Sequence, residues 1–126
     1  MRLLLDTHVV LWQLSGARRL GTHAEAALAD ATELAFSVVS FAEIGVKAAI
    51  GKLVIPNDLH AHISDTGLRV LGLSSEDGLA VARLPLHHRD PFDRLLVTQA
   101  QHGGMTLVTA DERIRAYDVA VLDPLV

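Results

Sequence analysis

The sequence predicts an α/β fold: a central parallel sheet of four to five strands, with helices on both sides making three layers. Two observations carry this. Short apolar runs alternate with segments of helical period, the signature of βαβ units. Acids also stand where such runs end: Asp6 closes Leu3-Leu4-Leu5, Glu43 follows the run 34–39 by four residues, and Asp111 follows Met105-Thr106-Leu107-Val108 by three. In an open α/β sheet the ligand crevice lies outside the carboxyl ends of the strands. Carboxylates delivered there from separate strands repel one another unless a cation holds them, and an oxygen-only donor set suits a hard divalent ion, Mg²⁺ or Mn²⁺.

In chain order, the apolar runs place strands near 2–6, 34–39, 68–73, 105–109 and 119–122. Helical spacing places helices near 8–15, 22–31, 40–51, 57–66, 75–83 and 91–102, with a short one near 111–116. Gly51 is a helix stop, Asn57 the next N-cap, and Gly103-Gly104 closes the helix before the fourth strand. No break is long or biased enough to be a linker and no repeat occurs, so residues 1–126 are expected to form one domain.

Half of the residues are hydrophobic, so the core should be aliphatic. With no cysteine, disulfides, zinc–thiolate sites, iron–sulfur clusters and a cysteine nucleophile are excluded. No apolar run reaches the length of a membrane span, and the N-terminus reads directly into a strand without the marks of a signal peptide, so a cytoplasmic protein with no membrane partner is expected. The net charge is −4, but setting aside Asp6, Glu43, Asp93 and Asp111 leaves 11 acids against 11 bases. Net charge therefore neither supports nor excludes a phosphate-backbone ligand.

Each acid has a structural role to weigh against a site role. Asp6 suits the N-cap of the following helix as well as a strand-end site, and the two are compatible; Thr7 follows it as a supporting residue. Ser40-Phe41-Ala42-Glu43 reads as a capping box, yet it also sets Glu43 one turn into a helix beside the crevice. Lys47, four residues on, either pairs with Glu43 or faces a phosphate. In Asp90-Pro91-Phe92-Asp93, Asp90 suits the N-cap and Pro91 the first helical position, and Asp93 is the preferred site residue of the two acids. Thr109, two residues before Asp111, is placed to hold that acid or a metal-bound water, while Asp111 suits the cap of the short helix that follows as well as a site. Gly45, inside a helix, is read as allowing close packing.

Taken together these strings resemble the PIN domain, in particular the VapC-type toxins of bacterial toxin–antitoxin pairs. Leu3-Leu4-Leu5-Asp6-Thr7-His8 resembles the first acid motif of that family, and Ser37-Val38-Val39-Ser40-Phe41-Ala42-Glu43-Ile44, extended by Lys47 and Gly51-Lys52-Leu53, resembles the second. His88-Arg89-Asp90-Pro91-Phe92-Asp93-Arg94-Leu95-Leu96 resembles the third, and Leu107-Val108-Thr109-Ala110-Asp111-Glu112 the fourth. Each string is weak alone; four in order with family-like spacing are specific, and they cover essentially the whole chain.

The resemblance implies a PIN-like fold and a metal-dependent endoribonuclease. Asp6, Glu43, Asp93 and Asp111 would ligate one or two Mg²⁺ or Mn²⁺ ions, with Thr7, Thr109 and Asp90 in support. It also implies products with 5′-phosphate and 3′-hydroxyl ends, a cognate antitoxin over the acidic groove, and a homodimer. Lys47, Lys52 and Arg94 are candidate contacts to RNA phosphates.

Other readings fit less well. A response-regulator receiver needs an acid pair after the first strand, and a haloacid-dehalogenase-like phosphatase needs an Asp where His8 stands. A zinc hydrolase would need converging histidines, but His60 and His62 do not share a helix face and His87 and His88 read as loop residues. The main alternative is a catalytically inactive PIN-like interaction module whose acids only cap helices.

Overall fold

The computed structural model describes residues 1–126. Its order is β1 (Arg2–Leu5), α1 (Thr7–Ser15), α2 (Thr22–Asp30), β2 (Glu33–Ser37), α3 (Val38–Ala49), α4 (Leu59–Asp65), β3 (Arg69–Leu71), α5 (Ser75–Ala80), α6 (Pro91–Gly103), β4 (Thr106–Val108) and β5 (Val121–Leu122). Short 3₁₀ turns at Val81–Arg83 and Glu112–Ala116 complete it. The five strands form one parallel sheet in the order β3-β2-β1-β4-β5. β1 is central: Leu3 is in register with Leu34 of β2 on one side and with Thr106 of β4 on the other.

Strand alternation divides the core in two. Leu3, Leu5, Phe36 and Val108 face Val9 and Val10 of α1, Ile44 of α3, and Leu59 and Ile63 of α4. Leu4, Ala35 and Leu107 face the other way, onto Leu96, Val97 and Ala100 of α6, with Ile114 and Tyr117. Burial on both faces explains why the inner strands β1 and β4 read as unbroken apolar runs rather than alternating ones. The expected three layers are therefore present. No helix is long and apolar enough to cross a membrane.

Several boundaries differ from the expected ones, each for a local reason. Val38 and Val39 look like strand but begin α3, because the Ser37 side chain caps the helix by accepting from the Val39 N–H at 3.0 Å. Ser40 and Glu43 consequently lie inside α3 and do not form a capping box. Asp58 rather than Asn57 precedes α4. The segment expected as one helix over 75–83 breaks into α5 and a 3₁₀ turn, and Glu112–Ala116 is also 3₁₀. Gly104 ends α6 in the left-handed conformation at φ 61°, and Gly51 follows α3 at φ 75°.

A buried polar chain ties α6 across the strand ends. The Ser37 hydroxyl donates to Gln99 Oε1 at 2.6 Å, and Gln99 Nε2 donates to the Gly72 carbonyl at 3.1 Å. This ties the middle of α6 to the carboxyl ends of β2 and β3.

Candidate metal centre at the strand ends

Asp6 leaves β1 with its main-chain N–H bonded to the Val108 carbonyl at 2.9 Å, so the sheet ladder itself sets where the side chain starts. It precedes α1 but makes no side-chain cap. Its Oδ2 accepts from the Thr109 hydroxyl at 2.9 Å, while Oδ1 is buried with no hydrogen-bond partner. Burial pushes the Asp6 carboxyl up, and the neighbouring Glu43 charge adds to this; His8 and the Thr109 hydroxyl work the other way without cancelling it.

Thr7 opens α1 and reaches α3. Its hydroxyl lies 2.7 Å from both Ser40 Oγ and Glu43 Oε1. A hydroxyl has one proton and an ionised carboxylate only accepts, so Thr7 donates to Glu43 and accepts from Ser40. Glu43 is 1% exposed, and its other oxygen accepts from the Lys47 ammonium one turn on. Of the two expectations for Lys47, the structure thus places it on Glu43. Burial pulls the Lys47 ammonium down, but Glu43, Asp90 and Asp93 together hold it above the usual lysine value.

Asp90 and Asp93 have separate jobs. Asp90 caps α6, its Oδ1 accepting from the N–H of Phe92 at 2.8 Å and of Asp93 at 3.2 Å. Asp93 is buried and faces the cluster. Its carboxyl is pushed up to about 8, first by burial and then by the charges of Asp6, Asp90, Glu43 and Asp111. Asp111 opens the 3₁₀ turn, where its main-chain N–H donates to Thr109 Oγ1 at 3.1 Å and its Oδ1 accepts from the Arg113 N–H at 2.9 Å. Partial burial opposes ionisation of Asp111, but the bonds from His88 and Arg113 outweigh it and hold the carboxyl below its usual value.

His88 is the residue that sequence reasoning missed. Read as a loop histidine, it is 5% exposed, and its Nε2 lies 2.7 Å from Asp111 Oδ2 and 2.9 Å from Asp93 Oδ2. The available signal was its place two residues before the N-cap of an acid-bearing helix, which favours contact with that helix's first turn.

Arg94 also departs from expectation. Its guanidinium donates to the carbonyls of Pro85 at 3.0 Å and Val81 at 2.9 Å and to the Tyr117 hydroxyl at 3.2 Å. These bonds brace the segment before α6 and engage the donors expected to meet a phosphate. Lys52 is exposed in the turn after α3.

The donor set fits a hard divalent ion. A buried carboxylate oxygen without a partner and an acid raised by four neighbouring carboxylates are both relieved by a cation. His88, Asp93 and Asp111 bring candidate ligand atoms within 4.8 Å of one another. Glu43 already accepts one hydrogen bond at each oxygen, leaving a second lone pair on each. An open apolar groove of about 250 Å³ between Leu11, Leu14, Leu53, Val54 and Pro56 contains none of these acids.

Comparison with known proteins agrees with this geometry. Residues 3–120 match the model of the PIN domain family. The chain is 32% identical over 121 residues to ribonuclease VapC22 of Mycobacterium tuberculosis, with 90% of each covered. Similar folds occur in VapBC2 from Rickettsia felis bound to a promoter DNA fragment (TM-score 0.72, 14% identity, 97% of this chain and 98% of that one). DNA-bound VapBC from Salmonella typhimurium is also similar (TM-score 0.69, 15% identity, 98% of each). The match across nearly the whole chain, and the acids that the fold gathers at one end of its sheet, make this protein a member of the PIN domain family, in its VapC branch.

Proposed function

We propose that the chain is a metal-dependent endoribonuclease, the toxin of a type II toxin–antitoxin pair. The observation that carries the metal requirement is the Asp6 carboxylate: buried, held at Oδ2 by Thr109 and unpartnered at Oδ1, beside an acid raised to about 8. A bound cation would relieve the repulsion of that grouping in its ionised state. Likeness to a ribonuclease named VapC22 supports the RNA substrate, and likeness of fold to VapBC assemblies supports an antitoxin partner.

Asp6, Asp93 and Asp111, with Glu43, would hold one or two Mg²⁺ or Mn²⁺ ions, which when bound lower the pKa of water and polarise a phosphoryl oxygen. The remaining work falls to the chain. Thr109 orients Asp6 from the end of β4, and Thr7 orients Glu43 from the start of α1. Asp90 holds the first turn of α6 and so the position of Asp93. A carboxylate of the cluster accepts the proton of the attacking water. Lys47 neutralises Glu43 and keeps ammonium donors for a backbone phosphate, and exposed Lys52 extends that basic edge. The products are a 5′-phosphate and a 3′-hydroxyl, and the protein acts in the cytoplasm as a homodimer.

The test is cleavage of an end-labelled structured RNA with Mg²⁺ or Mn²⁺, beside EDTA and an Asp6→Ala control. Metal-dependent cleavage that Asp6→Ala abolishes establishes the reading. A folded protein that neither cleaves RNA nor binds Mn²⁺ refutes it and leaves a non-catalytic interaction module.

A further inference from the structure

His88 is a buried imidazole at the strand ends that the proposed chemistry leaves unused. Its surroundings determine which ring nitrogen carries the proton. The Asp90 main-chain N–H donates to Nδ1 at 3.1 Å; a main-chain N–H cannot accept, so Nδ1 carries no proton and Nε2 does. That single N–H is directed at Asp111 Oδ2, 2.7 Å away, and Asp93 Oδ2 lies 2.9 Å from the same nitrogen as a close contact without hydrogen-bond geometry. The main chain of the same residue is anchored too, its N–H donating to the Tyr117 hydroxyl at 3.0 Å.

Proximity alone would make His88 a ligand beside Asp93 and Asp111. The hydrogen bonds argue the reverse. A metal-ligating histidine donates its distal N–H to an acceptor, which leaves the near nitrogen's lone pair for the metal. Here the distal nitrogen faces a donor. For Nε2 to ligate, the proton would have to move to Nδ1, directly opposite the Asp90 N–H.

We propose that His88 is a positioning residue, not a ligand: its Nε2–H bonds Asp111 after β4 while the same nitrogen lies against Asp93 at the start of α6, and wedged between them the ring sets the separation of these two carboxylates for the metal. The proposal rests on the metal-dependent reading above. Asp93 and Asp111 come from elements joined by no direct hydrogen bond between their carboxylates, so the imidazole is what couples them. The two contacts are unequal, a hydrogen bond to Asp111 and a close approach to Asp93.

Two measurements on purified protein test this. The first is the ¹⁵N chemical-shift pattern of the His88 ring, read by long-range ¹H–¹⁵N correlation without metal and with saturating Mg²⁺. Retention of the Nε2–H tautomer with Mg²⁺ bound is expected; a switch to Nδ1–H would make His88 a ligand and overturn the proposal. The second is Mn²⁺ affinity by calorimetry for wild type, His88→Asn and His88→Gln. Asn can still accept from the Asp90 N–H but its amide is too short to reach both acids, so its Kd should weaken about 10–100-fold with little change in Tm. Gln, which places an N–H near the Nε2 position, should recover much of that loss. Equal Mn²⁺ affinity in wild type and His88→Asn would reject the positioning role while leaving the metal reading intact. Absence of Mn²⁺ binding by wild type would overturn both. If His88→Asn does not fold, the wild-type tautomer measurement still decides.

Discussion

Lys47 and Glu43 form an ion pair one helical turn apart, in which the carboxylate side chain is 2% exposed and the ammonium side chain 27%. The pair is therefore unequal: water can compensate loss of the acid's partner far less than loss of the base's. Lys47→Met should destabilise the fold toward the lower end of the roughly 3–5 kcal/mol that breaking a buried pair costs, because the ammonium end is partly wet. Urea unfolding measures this, and adding Glu43→Gln to Lys47→Met should recover much of the loss. Additive losses would show that the two side chains are not coupled.

Asp93→Asn should abolish RNA cleavage and yet stabilise the protein in EDTA. The substitution removes a carboxylate from a group of acids that repel it. A rise in Tm of about 3–5 °C per kcal/mol of relieved repulsion is expected at this chain length. A fall in Tm in EDTA at pH 8 would mean that the Asp93 charge is already compensated within the chain.

The same acid makes metal-free stability depend on pH. Its folded-state value, about 8, lies above the ordinary carboxylate value, so the folded protein binds a proton that the unfolded chain has released. That contribution is fully present below the unfolded value near 4 and is lost as pH rises through 8. Thermal melts in EDTA should show Tm declining between pH 5 and pH 8.5, and saturating Mg²⁺ should flatten the decline. A Tm that rises over this interval in EDTA would contradict the raised value.

Two glycines should respond oppositely to alanine. A Cβ on Gly21 would lie 2.1 Å from the Val126 carbonyl carbon, where the Gly21 N–H donates to Pro124 O and the His23 N–H to Val126 O, both at 3.0 Å. Gly21→Ala should displace this tail and lose both bonds, at a cost of about 1–3 kcal/mol, with faster amide exchange at Gly21 and His23. A Cβ on Gly45 meets nothing within 4 Å, so the close packing expected there is absent. Gly45→Ala should stabilise α3 by about 1 kcal/mol. Chemical denaturation of the two variants checks both signs.

Much of this site is legible from local pattern because its acids are tied to strand ends. Asp6 follows three buried leucines, and Asp111 follows β4 by three residues, so the sheet's polarity alone brings them to one edge. Asp90 and Asp93 were separable in principle, since Asp-Pro at a helix start marks the first acid as the cap. His88 and Arg94 were not legible, because their partners are distant in sequence: Asp111 and Tyr117 each lie 23 residues away, respectively. The start of α3 is hidden in the sequence for a different reason. β-Branched Val38 and Val39 favour strand, and only the Ser37 cap overrides them.

The central place of β1 has a consequence for synthesis. β1 is made well before β4, the strand that completes its second side, and Thr109, which holds Asp6, lies 103 residues further on. A nascent chain therefore carries Asp6 through those 103 residues of synthesis without the hydroxyl that orients it. Premature termination before β4 would leave β1 with an open edge, prone to self-association rather than to partial activity. The acid cluster thus comes into being only once β4 and Thr109 are made, and a product ended before them lacks the contact that orients Asp6.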